Sequence, residues 1–351
     1  MAIDIPFGMD PRLAQALEEL GMLGRSILPM LPRPHDKELI HTIAARAHEE
    51  FSTLYSTLAN DLPGDSEIRS NAYTIECPQN NPIALNVFEP PSPKALMPCI
   101  VYFHGGAMTI LDAFASVHQR WCQDLADAGN LVVNVEFRNA YSENGVHPFP
   151  AGLSDCVRAV QWLAENQSLF GFDSIVLQGE SGGGNLAICT ALSAKNSPNA
   201  PKIDGVYAVV PYISGGYGWE SERKRAELPS LLENDGYFIN CSLMDVLASA
   251  YDPLGENASN PYCWPYHAHI QDLIGLPPHV LTVSEFDPLR DEGLAYHRKL
   301  LAAGVKTRTS CNYGLTHAAE LIFRKSMPDC YFSRVADITE FAQSVSNQAP
   351  G

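Results

Sequence analysis

Several things are missing from this 351-residue sequence, and each absence closes off a class of function. No apolar run reaches the roughly 20 residues that a membrane-spanning helix needs. The opening residues, Met1-Ala2-Ile3-Asp4-Ile5-Pro6, lack the basic and apolar segments of a secretory signal, so a cytoplasmic location is expected. Basic residues are scarce: 23 Lys and Arg stand against 40 Asp and Glu, a formal net charge of −17. A field of that sign repels phosphate backbones and anionic lipid, so neither nucleic acid nor a membrane surface is an expected partner. The nine cysteines are odd in number and scattered singly, with no C-x-x-C pair. That pattern points to free buried thiols rather than a disulfide framework or a zinc site. The phosphate-binding patterns G-x-G-x-x-G and G-x-x-x-x-G-K-[ST] are absent too, and no metal or organic cofactor is expected. There is no internal repeat and no low-complexity tract.

What is present is the material for one large core, with 46% hydrophobic and 18% charged residues. Helical patterning covers Leu13 to Leu20 and Lys37 to Leu58, separated by a stretch containing Pro29, Pro32 and Pro34. Two extended runs, Ala72 to Cys77 and Ile83 to Phe88, flank the turn-forming Pro78-Gln79-Asn80-Asn81-Pro82 and read as a hairpin. Apolar strands then alternate with helical stretches: Cys99 to Phe103, Leu131 to Phe137, Ser174 to Gln178, Val206 to Pro211, His279 to Val283 and Thr307 to Cys311. Strands apolar along their whole length need cover on both faces, so the pattern predicts an α/β fold with a doubly wound, mostly parallel sheet. Between Ser214 and Tyr251 the rhythm loosens into a Gly-rich turn, the charged segment Glu220 to Glu227 and a further helix. The charged segment reads as a solvated face.

Gly179-Glu180-Ser181-Gly182-Gly183 is the single match to G-x-S-x-G. A strand runs into it and a helix, Asn185 to Lys195, runs out, which is the setting of a nucleophile elbow. The flanking glycines relieve crowding at a strained turn, and Ser181 at the helix start brings the Gly182 N–H within reach of a developing oxyanion. A second Gly-rich element, His104-Gly105-Gly106-Ala107, follows the strand Cys99 to Phe103 and could supply further N–H donors. His104 is expected to brace that loop.

This elbow arrangement requires the chain order Ser, then acid, then His. Of the histidines after Ser181, His279 begins a strand, His297 lies in a helical run, and His267 and His269 precede the strand that would carry the acid. His317, in the loop after the last strand, is the expected general base. Asp287, just past the strand His279 to Val283, is the expected acid, with Asp291 and Glu285 next in line. The competing role for Asp287 is to cap a helix beginning at Pro288.

Through His104-Gly105-Gly106, Gly179 to Gly184, Asp287-Pro288-Leu289-Arg290-Asp291-Glu292-Gly293 and Gly314-Leu315-Thr316-His317, the chain resembles the bacterial hormone-sensitive-lipase family of esterases. The resemblance runs from about residue 70 onward. It implies an α/β-hydrolase fold with a helical cap, residues 1–65 supplying N-terminal helices to the cap and 66–351 forming the catalytic domain, with a cap insertion at about 214–251. It also implies the triad Ser181, Asp287 and His317, an oxyanion hole at Gly105, Gly106, Ala107 and Gly182, and hydrolysis of a small-molecule ester or lactone. A homodimer through an edge strand and the C-terminal helix is a further implication. A non-hydrolytic receptor or a lyase on the same fold is the alternative. Two departures stand out: Ala107 replaces a third loop glycine, and Glu180 precedes the serine where many members carry Asp.

Overall fold

A computed structural model describes residues 5–60, 70–76, 81–92, 97–142 and 145–346. Its centre is an eight-stranded sheet: β1 (Asn71–Ile75), β2 (Ile83–Phe88), β3 (Met97–Phe103), β4 (Leu131–Glu136), β5 (Phe172–Glu180), β6 (Gly205–Val209), β7 (His279–Ser284) and β8 (Thr307–Asn312). The spatial order is β1-β2-β4-β3-β5-β6-β7-β8. β1 and β2 form the expected antiparallel hairpin, β2 joins β4 antiparallel, and every other neighbour pair is parallel. The connecting turn at 77–80 lies outside the described residues.

All six apolar runs read from the sequence are strands, with two informative shifts. β5 continues two residues past Gln178, because Gly179 and Glu180 still pair with Ala208 and Val209 of β6. The strand therefore carries Glu180 to the edge of the elbow. β6 stops at Val209 rather than Pro211, since Val210 turns to φ +41 and Pro211 has no N–H to give a ladder.

Helices cover the sheet. α3 (Ser116–Asp127) lies on β4, and it packs with the C-terminal helix α8 (Pro328–Ser346), which also crosses β3 and β5. α4 (Ala151–Glu165) packs on α5 (Gly182–Lys195), which leaves the elbow and lies on β3, β5 and β6, while α7 (Arg290–Ala302) lies on β7 and β8. β3, β5, β6 and β7 are buried along almost their entire length, as cover on both faces demands.

Ahead of the sheet stand α1 (Pro11–Glu19) and α2 (Lys37–Asn60). Asp10 caps α1 by accepting the Arg12 N–H at 2.9 Å. α2 packs on α3 and on α6 (Cys241–Tyr251), the helix that closes the loosely patterned 214–251 stretch. The link between α1 and α2 is tied to α6 through one buried carboxylate: Asp245 receives Arg33 Nε and His35 Nε2, each at 3.0 Å, and pairs with a second guanidinium nitrogen of Arg33. The charged segment forms a short helix, Ser221–Glu227, solvated along its length except at Lys224.

Among the described residues, no helix is long and apolar enough to cross a membrane. The eight described cysteines are unpaired, and Cys77 falls outside the described residues.

Candidate active site

Ser181 sits between β5 and α5 with φ +53 and ψ −118, a backbone state that disfavours any residue bearing a Cβ. Its surroundings hold it there. The Ser181 N–H donates to Val209 O at 2.9 Å, and its carbonyl accepts from Asn185 and Tyr212 at 3.1 and 3.0 Å. The glycines are required by close backbone approach. A Cβ on Gly183 would lie 1.8 Å from Phe103 O, and one on Gly182 would lie 2.5 Å from Met108 N. The elbow is thus pressed against the loop that follows β3.

That loop is strained in its own right. Gly106 takes φ +103, where a Cβ would meet Ile110 O at 2.1 Å, and Ala107 and Met108 both take φ +56. His104 braces it as expected: its Nδ1 lies 2.6 Å from Gly105 O, and its ring stacks on Phe137 with centroids 4.3 Å apart. The N–H groups of Gly106, Ala107 and Gly182 donate to no protein group among the described residues. Gly105 differs, and here the expectation needs correction. Its N–H donates to Glu180 Oε1 at 2.6 Å, so it is not free for an oxyanion.

His317 follows β8 in a loop and is 6% exposed, while Asp287 lies past the end of β7 and is wholly buried. His317 Nδ1 is 2.8 Å from Asp287 Oδ2. A carboxylate can only accept, so the proton of this bond sits on Nδ1 and Nε2 carries the lone pair. Asp287 does not have to choose between its two candidate roles, because Oδ1 accepts the Leu289 N–H at 2.8 Å while Oδ2 serves His317. α7 starts only at Arg290, so Asp287 shapes the turn ahead of the helix. The two loops are tied to each other by Phe286 N–H to Leu315 O at 2.9 Å and by Gly314 N–H to Glu285 Oε2 at 2.8 Å. Asn234 donates to the carbonyls of Glu285 and Asp287 at 2.9 and 3.0 Å.

The other late histidines are occupied elsewhere. His267 Nε2 meets Ser214 O at 2.9 Å, His269 caps the short helix Ile270–Leu273, His279 Nδ1 meets Pro277 O at 2.7 Å, and His297 Nδ1 meets Thr307 Oγ1 at 3.2 Å. Asp291 accepts the Ser230 N–H at 2.7 Å, and Glu285 holds Gly314, so neither rival acid faces an imidazole.

Ser181 and His317 line one cavity of about 600 Å³, mouth included. Gly106 and Ala107 form its floor beside the serine, and the Ser181 hydroxyl has no hydrogen-bond partner among the described residues. Glu180 and Gly105 also reach the lining, and most of the remaining wall is apolar: Phe51 and Tyr55 from α2, Phe238 and Ile239, and Leu243, Met244 and Leu247 from α6. A nucleophile-type turn, an imidazole oriented by a carboxylate and unengaged N–H groups therefore open into one apolar space. Residues 100–321 match the alpha/beta hydrolase fold family.

The chain belongs to that family.

It is also similar to a solved structure of brefeldin A esterase, a bacterial homologue of human hormone sensitive lipase. The two share 45% identity over 97% of this chain and 95% of that one, with a TM-score of 0.93. Carboxylesterase NlhH of Mycobacterium tuberculosis is 30% identical over 72% of this chain and 75% of its own length. Gibberellin receptor GID1B of Arabidopsis thaliana is 29% identical over 63% of this chain and 60% of its own. The resemblance to the bacterial hormone-sensitive-lipase esterases holds, and this member of the hydrolase family is an enzyme of the esterase kind.

Sequence reasoning left two parts of the site unread. One is the set of wall residues on α2 and α6, whose apolar stripes look like any core-facing helix. The other is a buried polar cluster behind the serine. Glu180 is 2% exposed and accepts the Tyr102 hydroxyl at 2.9 Å on the same oxygen that holds Gly105. Burial pushes its carboxyl up to about 8, and burial pushes the neighbouring His118 down to about 4. Both are therefore neutral near pH 7, and their 3.5 Å approach is not an ion pair at that pH. A second buried carboxyl, Glu292, is likewise pushed up to about 8 by burial. It accepts from Ile213 N–H at 2.6 Å, from the Tyr217 hydroxyl at 3.0 Å and from the Ser214 hydroxyl, fixing the chain just after β6.

Proposed function

We propose that this protein is a serine carboxylesterase that hydrolyses short to medium acyl esters or lactones through Ser181, His317 and Asp287. The observation that carries the reading is the 2.8 Å contact between His317 Nδ1 and Asp287, on the wall of the cavity that Ser181 also lines. The Ser181 oxygen attacks the ester carbonyl carbon while its proton passes to His317 Nε2. The carbonyl oxygen becomes an oxyanion and accepts the N–H groups of Gly106, Ala107 and Gly182, which have no other acceptor among the described residues. Asp287 holds the imidazole in the tautomer that can accept this proton and stabilises the imidazolium that results. The imidazolium then protonates the departing alkoxide. Water, deprotonated by the same nitrogen, attacks the acyl-enzyme, releasing the acid and restoring the serine.

The apolar wall of Ile110, Leu111, Leu243, Leu247 and Ile322 favours an acyl or alcohol portion of aliphatic character. The Ala107 methyl, beside the serine, narrows the acyl side. The cap is read as residues 1–65, of which 1–4 and 61–65 lie outside the described residues, together with about 214–251, since α2 and the 238–247 segment line the cavity.

An organophosphonate probe is expected to label Ser181 stoichiometrically, as read by mass spectrometry. Ser181→Ala is expected to lose turnover of p-nitrophenyl acetate by about 10⁶-fold. Unchanged turnover in that variant would rule the reading out. Tight binding of an ester that is never cleaved by the wild type would instead favour a receptor, a role carried by name among the relatives.

A further inference from the structure

Glu180 is a carboxyl one residue from the nucleophile, and neither step of the reaction uses it. Its Oε1 is shared by two donors, Gly105 N–H at 2.6 Å and Tyr102 OH at 2.9 Å, and its Oε2 has no hydrogen-bond partner among the described residues. A Cβ on Gly105 would lie 3.0 Å from Oε1, so the loop rests directly on the carboxyl. The arrangement joins three pieces of chain. Tyr102 and Gly105 belong to β3 and the loop after it, Glu180 ends β5, and the two strands are paired up to Phe103 and Gly179.

We propose that Glu180 is a positioning residue for the oxyanion loop: by holding the Gly105 N–H, it turns the next two amides, Gly106 and Ala107, toward the cavity. This rests on the hydrolase reading above and deepens it. The loop benefits from such a hold, because Ala107 and Met108 occupy left-handed backbone states that persist only where surrounding contacts impose them.

The groups that surround Glu180 are also specific. Tyr102 reaches it from β3, His118 and Cys122 from α3, and Tyr55 from α2, whose ring centroid lies 5.3 Å from that of His118. None of these is a cation at neutral pH: His118 is pushed down by burial, and Tyr55, Tyr102 and Cys122 are pushed up by burial and by Glu180 itself. A protonated carboxyl suits this setting. Its carbonyl oxygen accepts both donors, and Oε2 carries the proton. Ionisation then changes the hold on the loop without any change in Ser181, His317 or Asp287.

The test is a comparison of Glu180→Gln and Glu180→Ala with the wild type, using p-nitrophenyl acetate between pH 5.5 and 9.5. Glu180→Gln keeps an acceptor at the Oε1 position, and its kcat is expected within about threefold of wild type at pH 7. Glu180→Ala loses the tether, and kcat is expected to fall about 10²-fold with KM changed less than about threefold, as for loss of an oxyanion contact. The wild-type kcat profile is expected to show an inflection near 8, and Glu180→Gln to lack it. Wild-type kcat in Glu180→Ala overturns the proposal, as does an equal loss in both variants. If Glu180→Ala does not fold, persistence of the inflection in Glu180→Gln overturns it instead. Ser181→Ala, assayed alongside, separates the two readings: turnover surviving there defeats the hydrolase assignment whatever Glu180 does.

Discussion

The floor and the roof of the cavity are built on different principles. The floor is backbone and polar groups at the ends of parallel strands, fixed by contacts so close that glycines are required at 106, 182 and 183. The roof is apolar side chain, contributed by α2 and by residues 238–247, and its two halves meet through contacts such as Phe51 against Phe238, 6.4 Å between ring centroids. A structure of this kind separates tasks. On the proposed reading, chemistry depends on the floor and is sensitive to its displacement, whereas the roof selects the substrate and can vary in volume.

The largest effect that would sharpen this contrast is at Asp287. Asp287→Asn preserves shape but reverses the tautomer of His317, and kcat is expected to fall about 10⁴-fold with KM little changed. Steady-state kinetics on p-nitrophenyl butyrate would show it, and a loss below tenfold would break the assignment of the floor. Next comes Gly183→Ala, whose added methyl has no room beside Phe103 O. Urea denaturation is expected to show a loss of about 3 kcal/mol or more, against less than about 1 kcal/mol for an alanine placed at Gly255, where nothing lies within 4 Å but φ is also positive.

The third effect concerns pH. Glu180 and Glu292 are raised in the folded state to about 8 from an ordinary 4.5. Between those values the folded protein binds more protons than the unfolded chain, so stability falls as pH rises. The buried His104, His118 and His279 are lowered, and they act in the opposite sense only below about 6.5. From pH 6.5 to 8 the carboxyls are left to dominate, and the melting temperature is expected to decline. Glu292→Gln should remove about 2 kcal/mol of that decline, at about 1.4 kcal/mol per pH unit for one group. An unaltered slope in the variant would show that Glu292 is ionised throughout. The smallest effect is at the roof. Phe51→Ala is expected to raise KM for a butyrate ester by roughly tenfold, about 1.4 kcal/mol of lost apolar contact, with kcat within about twofold. If its kcat fell as far as that of Asp287→Asn, the division between floor and roof would fail.

The same contrast explains what could be read from the sequence. The floor was legible because its signals are local: an apolar strand, a glycine-flanked serine and a helix lie within 25 residues of one another. The order Ser, Asp, His then reduced eleven histidines to the five after Ser181, and their places in strand, helix or loop left His317. The roof was not legible in detail. Phe51 and Phe238 are far apart in the chain, and each lies in a segment whose pattern fits ordinary core packing equally well. Glu180 shows the limit most clearly. It stood in view as a departure beside the serine, yet its partners Tyr102 and Gly105 lie 78 and 75 residues upstream, and no periodicity connects them. The mistaken inclusion of Gly105 among the oxyanion donors has the same origin, since whether an amide is engaged depends on a side chain from another strand.

The knot at Asp245 bears on how this protein could be shortened. Arg33 neutralises, and His35 hydrogen-bonds, a buried carboxylate on α6. Trimming the chain to begin at the sheet would strand that negative charge against leucines and tyrosines. Such a fragment is expected to be less stable than the full chain, since a buried carboxylate would lose both partners. The leading sixty residues are a keystone, and any engineered minimal version has to replace Asp245 at the same time.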